Sequence, residues 1–174
     1  MLSAAFALAV SGGWDGVQMR EVAASADVAL GTLYRYFPSK EHLLVSVMLE
    51  QVRSLADRIA VRPPKGEDPV ERVNDVLRRA NRNLQAQPEV TSAMIRALVS
   101  GNTDVAPVVS SVRDEMRRII SDALDGDHGR PEPVLQIDLL SDVWLAALVS
   151  WISGAQDIEH IVPHLTAATP VLLG

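Results

Sequence analysis

Gly31, Thr32, Tyr34, Arg35 and Tyr36 bring a position without Cβ, a hydroxyl, two phenols and a guanidinium into six consecutive residues. Leu30, Leu33 and Phe37 recur at spacings of three and four, so on a helix they share one buried face. Gly31, Thr32, Tyr34 and Arg35 then lie on the opposite face. That set suits the base edges of a major groove and the phosphates beside it. Tyr36 sits nearer the packed face, and groove contact and packing are equally expected of it. Lys40 falls in the first turn of the next helix, whose free amides also favour an anion. Upstream, Arg20 lies at the start of the preceding helix and could reach a phosphate. For Arg20 a solvated helix charge is as good a reading.

Other chemistry has little foothold. His160 and His164 have the i, i+4 spacing of a metal pair, but Glu159 points elsewhere on the wheel, so no metal site is expected. Cysteine is absent, which removes thiolate nucleophiles and Cys-based zinc sites. No nucleophile elbow, Walker loop, dinucleotide fingerprint or zincin motif occurs, so neither an enzyme nor a cofactor is expected. The net charge of −6 supplies no global basic field, and any DNA contact must come from a local, shaped element.

An apolar ligand is the other chemistry on offer. Met94, Leu98, Met116, Ile120, Trp144, Leu148 and Trp151 could line a hydrophobic cavity or simply fill a core. Trp144 and Trp151 are seven residues apart, on one face of a helix. Arg78, Arg82 and Arg96 could meet an anionic group at the mouth of such a cavity. The alternative for Arg78, Arg79 and Arg82 is a solvated face near Asp75 and Glu71.

The elements that must hold these residues are helical. Aromatic content is only 4% and alternating β-branched runs are absent, while apolar residues recur every three or four positions. Breakers divide the chain into about nine helices, near 2–10, 19–26, 30–37, 39–61, 70–86, 89–99, 105–124, 134–153 and 158–171. Gly12-Gly13, Pro63-Pro64, Pro88, Gly101-Asn102, the stretch 125–133 and Gly154 separate them. The helix 134–153 is apolar on nearly every side apart from Asp138 and Asp142, so it must be buried in a core or against another subunit. The longest nearly apolar run, 143–152, is far short of the roughly 20 residues a membrane span needs. No basic residue precedes Arg20, so a secretion signal is not expected, and a cytoplasmic home is.

Residues 19–33 have the anatomy of a helix-turn-helix: Val22 and Ala23 face inward from the first helix, Val28 plugs the turn, and Leu33 faces inward from the second. The stretch VQMREVAASADVALGTLYRYFPSKEHLL, residues 17–44, resembles the DNA-binding signature of the TetR family of bacterial repressors. Within that family, VQMREVA, DVALGTLYRYFPSK, NRNLQAQPEVTSAMIRA and SDVWLAALVSWI are similar to regulators of sterol catabolism of the KstR type. The resemblance implies an all-α, TetR-like fold, with a three-helix DNA-binding domain at 1–45 and a six-helix ligand-binding and dimerisation domain at 46–174. It implies DNA contacts from Gln18, Arg20, Gly31, Thr32, Tyr34, Arg35, Tyr36 and Lys40. A dimer seam of the last two helices, centred on Val149, Ile152, Ile161 and Leu165, is expected from their apolar surface.

Departures from the family pattern are specific. Asp27 stands where the family often has Gly, and Asp tolerates a left-handed backbone better than most residues. Ala29 replaces the usual capping Ser, and Val17-Gln18 replaces a Thr pair, which passes that phosphate contact to Gln18. Residues 1–50 hold three cations (Arg20, Arg35, Lys40) against five acids, and the basic arm expected before the first helix is missing. The natural start is therefore expected upstream of Met1. The resemblance implies a repressor that binds a palindromic operator as a homodimer. A hydrophobic effector, a steroid-derived acyl-CoA, would release it. The alternative is an apolar-ligand binding protein or small enzyme on the same scaffold, with a vestigial DNA-binding unit.

Overall fold

The computed structural model describes residues 1–124 and 134–174, and the loop expected at 125–133 lies outside the described residues. The described residues form α1 (Leu2–Gly16), α2 (Met19–Ser25), α3 (Leu30–Tyr36), α4 (Lys40–Val61), α5 (Pro69–Ala86), α6 (Pro88–Leu98), α7 (Ala106–Leu124), α8 (Val134–Ile152) and α9 (Ile161–Leu173). Short 3-10 turns at Thr103–Val105 and Ile158–His160 lead into α7 and α9. Among the described residues there is no strand, and the all-α expectation holds.

The first helix breaks where the sequence places its stop. Gly12 (φ −144°, ψ 16°) and Gly13 (φ 55°, ψ −144°) break its geometry, but a helical turn resumes and carries α1 to Gly16. The two glycines therefore end the first helical stretch, Gly13 in the left-handed region, and a separate short turn follows. The start of α4 follows its sequence signal: Ser39 Oγ accepts the His42 N–H at 3.1 Å, as an N-cap should. Pro63-Pro64 lie just past its end, where a helix cannot continue.

Contacts gather the chain into two compact units, one of residues 1–51 and 84–112, the other of residues 52–83 and 113–174. This division differs from a boundary at 45/46, because α6 packs on α1 and clusters with the N-terminal helices. Ala5, Ala9 and Gly13, four residues apart, are the buried residues of α1, and their small size permits close helix approach. A Cβ at Gly13 would stand 2.9 Å from Oε2 of Glu89 on α6, at a positive φ that disfavours any side chain.

In the second unit α8 packs along α9. Ile137, Leu140, Trp144, Ala147 and Leu148 are buried from α8, and Ile161, Leu165 and Thr169 from α9. By length and composition α8 could cross a bilayer, a property the shorter run 143–152 concealed. Its two acids are occupied within the protein. Asp138 takes a bidentate contact from Arg117 (2.9 and 3.2 Å), and Asp142 accepts from Arg113 at 2.7 Å. These pairs fasten α7 to α8. Arg72 donates to the Ala123 and Leu124 carbonyls at 2.8 and 3.4 Å, placing a cation at the negative end of α7.

The apolar helix α8 is not covered on all sides by its own chain: Leu135 is 68% and Leu139 43% exposed. The four residues expected at the centre of a dimer seam divide accordingly. Ile161 and Leu165 are fully buried within the single chain, so a seam centred on them is corrected: they belong to its core. The stripe identified them as apolar but could not say that α8 of the same chain would cover them. Val149 and Ile152 are half-exposed.

Candidate nucleic-acid interface

The turn between α2 and α3 is closed by two backbone bonds. Val28 N–H donates to the Ala23 carbonyl at 3.0 Å and Asp27 N–H to the Ala24 carbonyl at 3.2 Å, the 6→1 and 5→2 pair of a Schellman motif. Asp27 takes the left-handed position at φ 52°, the conformation expected of it. Val22 and Ala23 are buried, and so is Leu33 on the facing helix. Ala29 caps α3 without a side-chain bond, as its methyl group dictates.

This scaffold presents one face of α3 outward. Tyr34 is 46% exposed, Gly31 and Arg35 are exposed, and Thr32 is half-buried. Around Gly31 a Cβ would meet nothing within 4 Å, so no packing within the chain requires a glycine there. Tyr36 is more open than its sequence position suggested, at 57% exposure. The Arg35 guanidinium lies 5.3 Å from its ring centroid. Gln18 and Arg20 are exposed at the start of α2.

Lys40 is held rather than free. Its Nζ lies 4.3 Å from the Trp14 ring centroid, and Arg96 Cζ lies 4.7 Å from the same ring. Burial holds the Lys40 ammonium below the usual lysine range, Asp15 and Glu41 work against that shift, and Arg96 adds to it. Next to it, Ser39 Oγ also accepts a bond of 3.3 Å from Asn102 Nδ2, across 63 residues of chain. Neither the Trp14 clamp nor the Asn102 link was legible in the sequence, where no local period joins such distant positions.

The residues expected for an apolar ligand are divided between the two units. Met94 is buried, Leu98 half-buried and Arg96 turned onto Trp14, all in the unit that carries α1–α3. In the other unit Met116, Ile120, Trp144 and Leu148 are buried, and Trp151 is half-buried. Arg78 and Arg82 are exposed, and Arg78 lies 3.7 Å from Asp75. Arg79 is pinned by Asp75 and the Arg62 and Pro63 carbonyls. A groove of ≈ 220 Å³ beside Ile59, Pro63, Ile119 and Ala123 includes none of these ligand candidates. His160 and His164 line an open hollow with Asp157, and the described residues hold no group of three metal-ligating side chains.

Comparison with known proteins fits this arrangement. Residues 1–47 match the family described as bacterial regulatory proteins, tetR family, and residues 66–172 the one described as tetracyclin repressor-like, C-terminal domain. The chain is 37% identical to the HTH-type transcriptional repressor KstR of Rhodococcus jostii RHA1, over all of its own length and 81% of that protein. A crystal structure of a TetR transcriptional regulator from Rhodococcus sp. RHA1 superposes with a TM-score of 0.88 at 35% identity, covering 99% of this chain and 92% of that one. The FadR regulator of Bacillus subtilis, solved with stearoyl-CoA, shares the fold at a TM-score of 0.72 and 18% identity, covering 99% of this chain and 96% of that one.

Proposed function

The chain belongs to the TetR family of bacterial regulatory proteins, a DNA-binding repressor similar to the KstR type, and we propose that it acts as an effector-released homodimer on a palindromic operator. The carrying observation is the outward face of α3, where exposed Tyr34 and Arg35 flank a glycine that nothing in the chain requires. Thr32 and Tyr36 complete the groove-facing set, with Gln18, Arg20 and Lys40 on the phosphates. A dimer would seat two such helices in successive major grooves, about 34 Å apart. The cytoplasm, where the operator lies, is the proposed location.

The seam we assign to the uncovered apolar side of α8 and α9. Leu135 and Leu139 of α8 and Val171 of α9, 82% exposed, would be covered by the same residues of a second copy, with Val149 and Ile152 at the margin. The effector we place against Met116, Ile120, Trp144, Leu148 and Trp151, with Arg78 and Arg82 available to coenzyme A phosphates. Similarity to KstR supports a steroid-derived acyl-CoA, and the stearoyl-CoA seen in the FadR structure supports a thioester of this class. Because that wall is closely packed, the effector must part it. A conformation with parted walls and weaker operator affinity would be selected, and the coupling is reciprocal.

Titrating steroid acyl-CoA thioesters and straight-chain acyl-CoAs into protein bound to a duplex from its own promoter tests the reading. Release by the steroid thioesters, with quenching of tryptophan fluorescence, supports it. Equal release by straight-chain thioesters removes the sterol assignment and keeps the repressor. Absence of any promoter-specific shift removes the operator reading itself.

A further inference from the structure

Residues from the end of α6 and the segment after it converge on the first turn of α4. Arg96, in the last turn of α6, shares the Trp14 ring with Lys40, and Asn102 donates to Ser39, the residue that caps α4. Each link is itself braced. Trp14 follows the Gly12-Gly13 break in α1, the helix on which α6 packs. Asn102 Oδ1 accepts the Asp104 N–H at 3.0 Å, so its side chain is already held as the cap of the following 3-10 turn. Trp14, Ser39, Lys40, Arg96 and Asn102 all belong to one compact unit.

A free lysine on a four-carbon stem spreads over many rotamers and loses that freedom on meeting a phosphate. Lys40 is stacked on an indole, with Asp15 and Glu41 as its nearby counter-charges. A second cation on the same ring would repel it, so Arg96 limits where the ammonium can lie as well as anchoring the ring. We propose that Arg96 and Asn102 are positioning residues for operator binding, fixing the first turn of α4 and the Lys40 ammonium through Trp14 and Ser39. The inference rests on the reading of Lys40 as a phosphate contact.

The test is anisotropy of a labelled duplex from the gene's own promoter, over a salt series, using the whole chain. Lys40→Gln should weaken binding and lower the salt slope by about one phosphate per protomer. Arg96→Gln should weaken binding about three- to tenfold with the same fall in slope, and add nothing to Lys40→Gln in the double variant. Asn102→Ala should behave likewise, Arg96→Lys should recover most of the affinity, and Trp14→Phe should lie between. An unaltered slope in Arg96→Gln and Asn102→Ala, or losses that simply add to that of Lys40→Gln, overturns the positioning role while leaving the Lys40 contact standing. No effect of Lys40→Gln overturns the phosphate contact and the proposal with it. Should Arg96→Gln melt early, Asn102→Ala and Trp14→Phe give the same reading in folded protein, and wild-type binding by both overturns the proposal.

Discussion

The Trp144 indole N–H donates to Asn81 Oδ1 at 3.1 Å, and Asn81 Nδ2 donates in turn to the Leu77 carbonyl at 2.9 Å. Both side chains are buried, so this chain of bonds joins α8 to α5 through the interior of the second unit. Trp144→Phe keeps an aromatic ring but vacates part of the indole's space and leaves the Asn81 oxygen without its donor. It should cost about 1–3 kcal/mol in urea unfolding. An unchanged midpoint would mean that the bond contributes nothing net.

Leu33 and Tyr34 are neighbours with opposite environments, one fully buried and the other 46% exposed. Leu33→Ala should destabilise the helix-turn-helix by about 2–5 kcal/mol. Tyr34→Ala should leave the melting temperature nearly unchanged and weaken promoter binding by about 1–3 kcal/mol. Thermal melts beside gel shifts on the same two variants check the orientation of α3.

Much of this helix was legible because its information is local. The spacing of Leu30, Leu33 and Phe37 fixes which side is inward, and it left Tyr34 and Arg35 outside. Asp27 in the turn pointed to a left-handed residue. Gly12-Gly13 mark the break in α1, with Gly13 at the positive φ that glycine tolerates. Ile161 and Leu165 showed the limit: a helical period states that a face is covered, not which helix covers it. Arg96 was grouped with Arg78 and Arg82 as a cation for a ligand, and only the fold reveals the indole beneath it.

Leu139 and Leu165 should now respond differently to charge. Leu139→Glu places a carboxylate on the uncovered side of α8 and should shift sedimentation from dimer to monomer with secondary structure intact. Leu165→Glu buries the same charge inside a protomer and should unfold it. A dimer undisturbed by Leu139→Glu would move the seam elsewhere.

Asp75 supplies a pH dependence. Burial pushes its carboxyl up, but the Lys65 N–H at 3.0 Å and the Arg79 and Arg78 guanidinium groups outweigh this and hold it below the ordinary carboxylate value. A depressed folded pKa stabilises above the unfolded value, and that stabilisation is lost as pH falls through the folded one. Asp75→Asn should therefore cost about 1 kcal/mol at neutral pH. The gap between variant and parent should close in acid. Denaturant midpoints at neutral and acidic pH measure it.

Gly31 has a consequence for how variants of this protein would be sorted. A methyl group there meets nothing of the chain, and alanine in a helix is favoured over glycine by about 1 kcal/mol. A screen that rewards folded, soluble protein should therefore enrich Gly31→Ala. A screen that rewards repression should discard it if, as proposed, this face of α3 meets the operator, because the methyl would then stand against the DNA. The two selections would disagree at a position whose environment looks permissive in every contact the free protein makes.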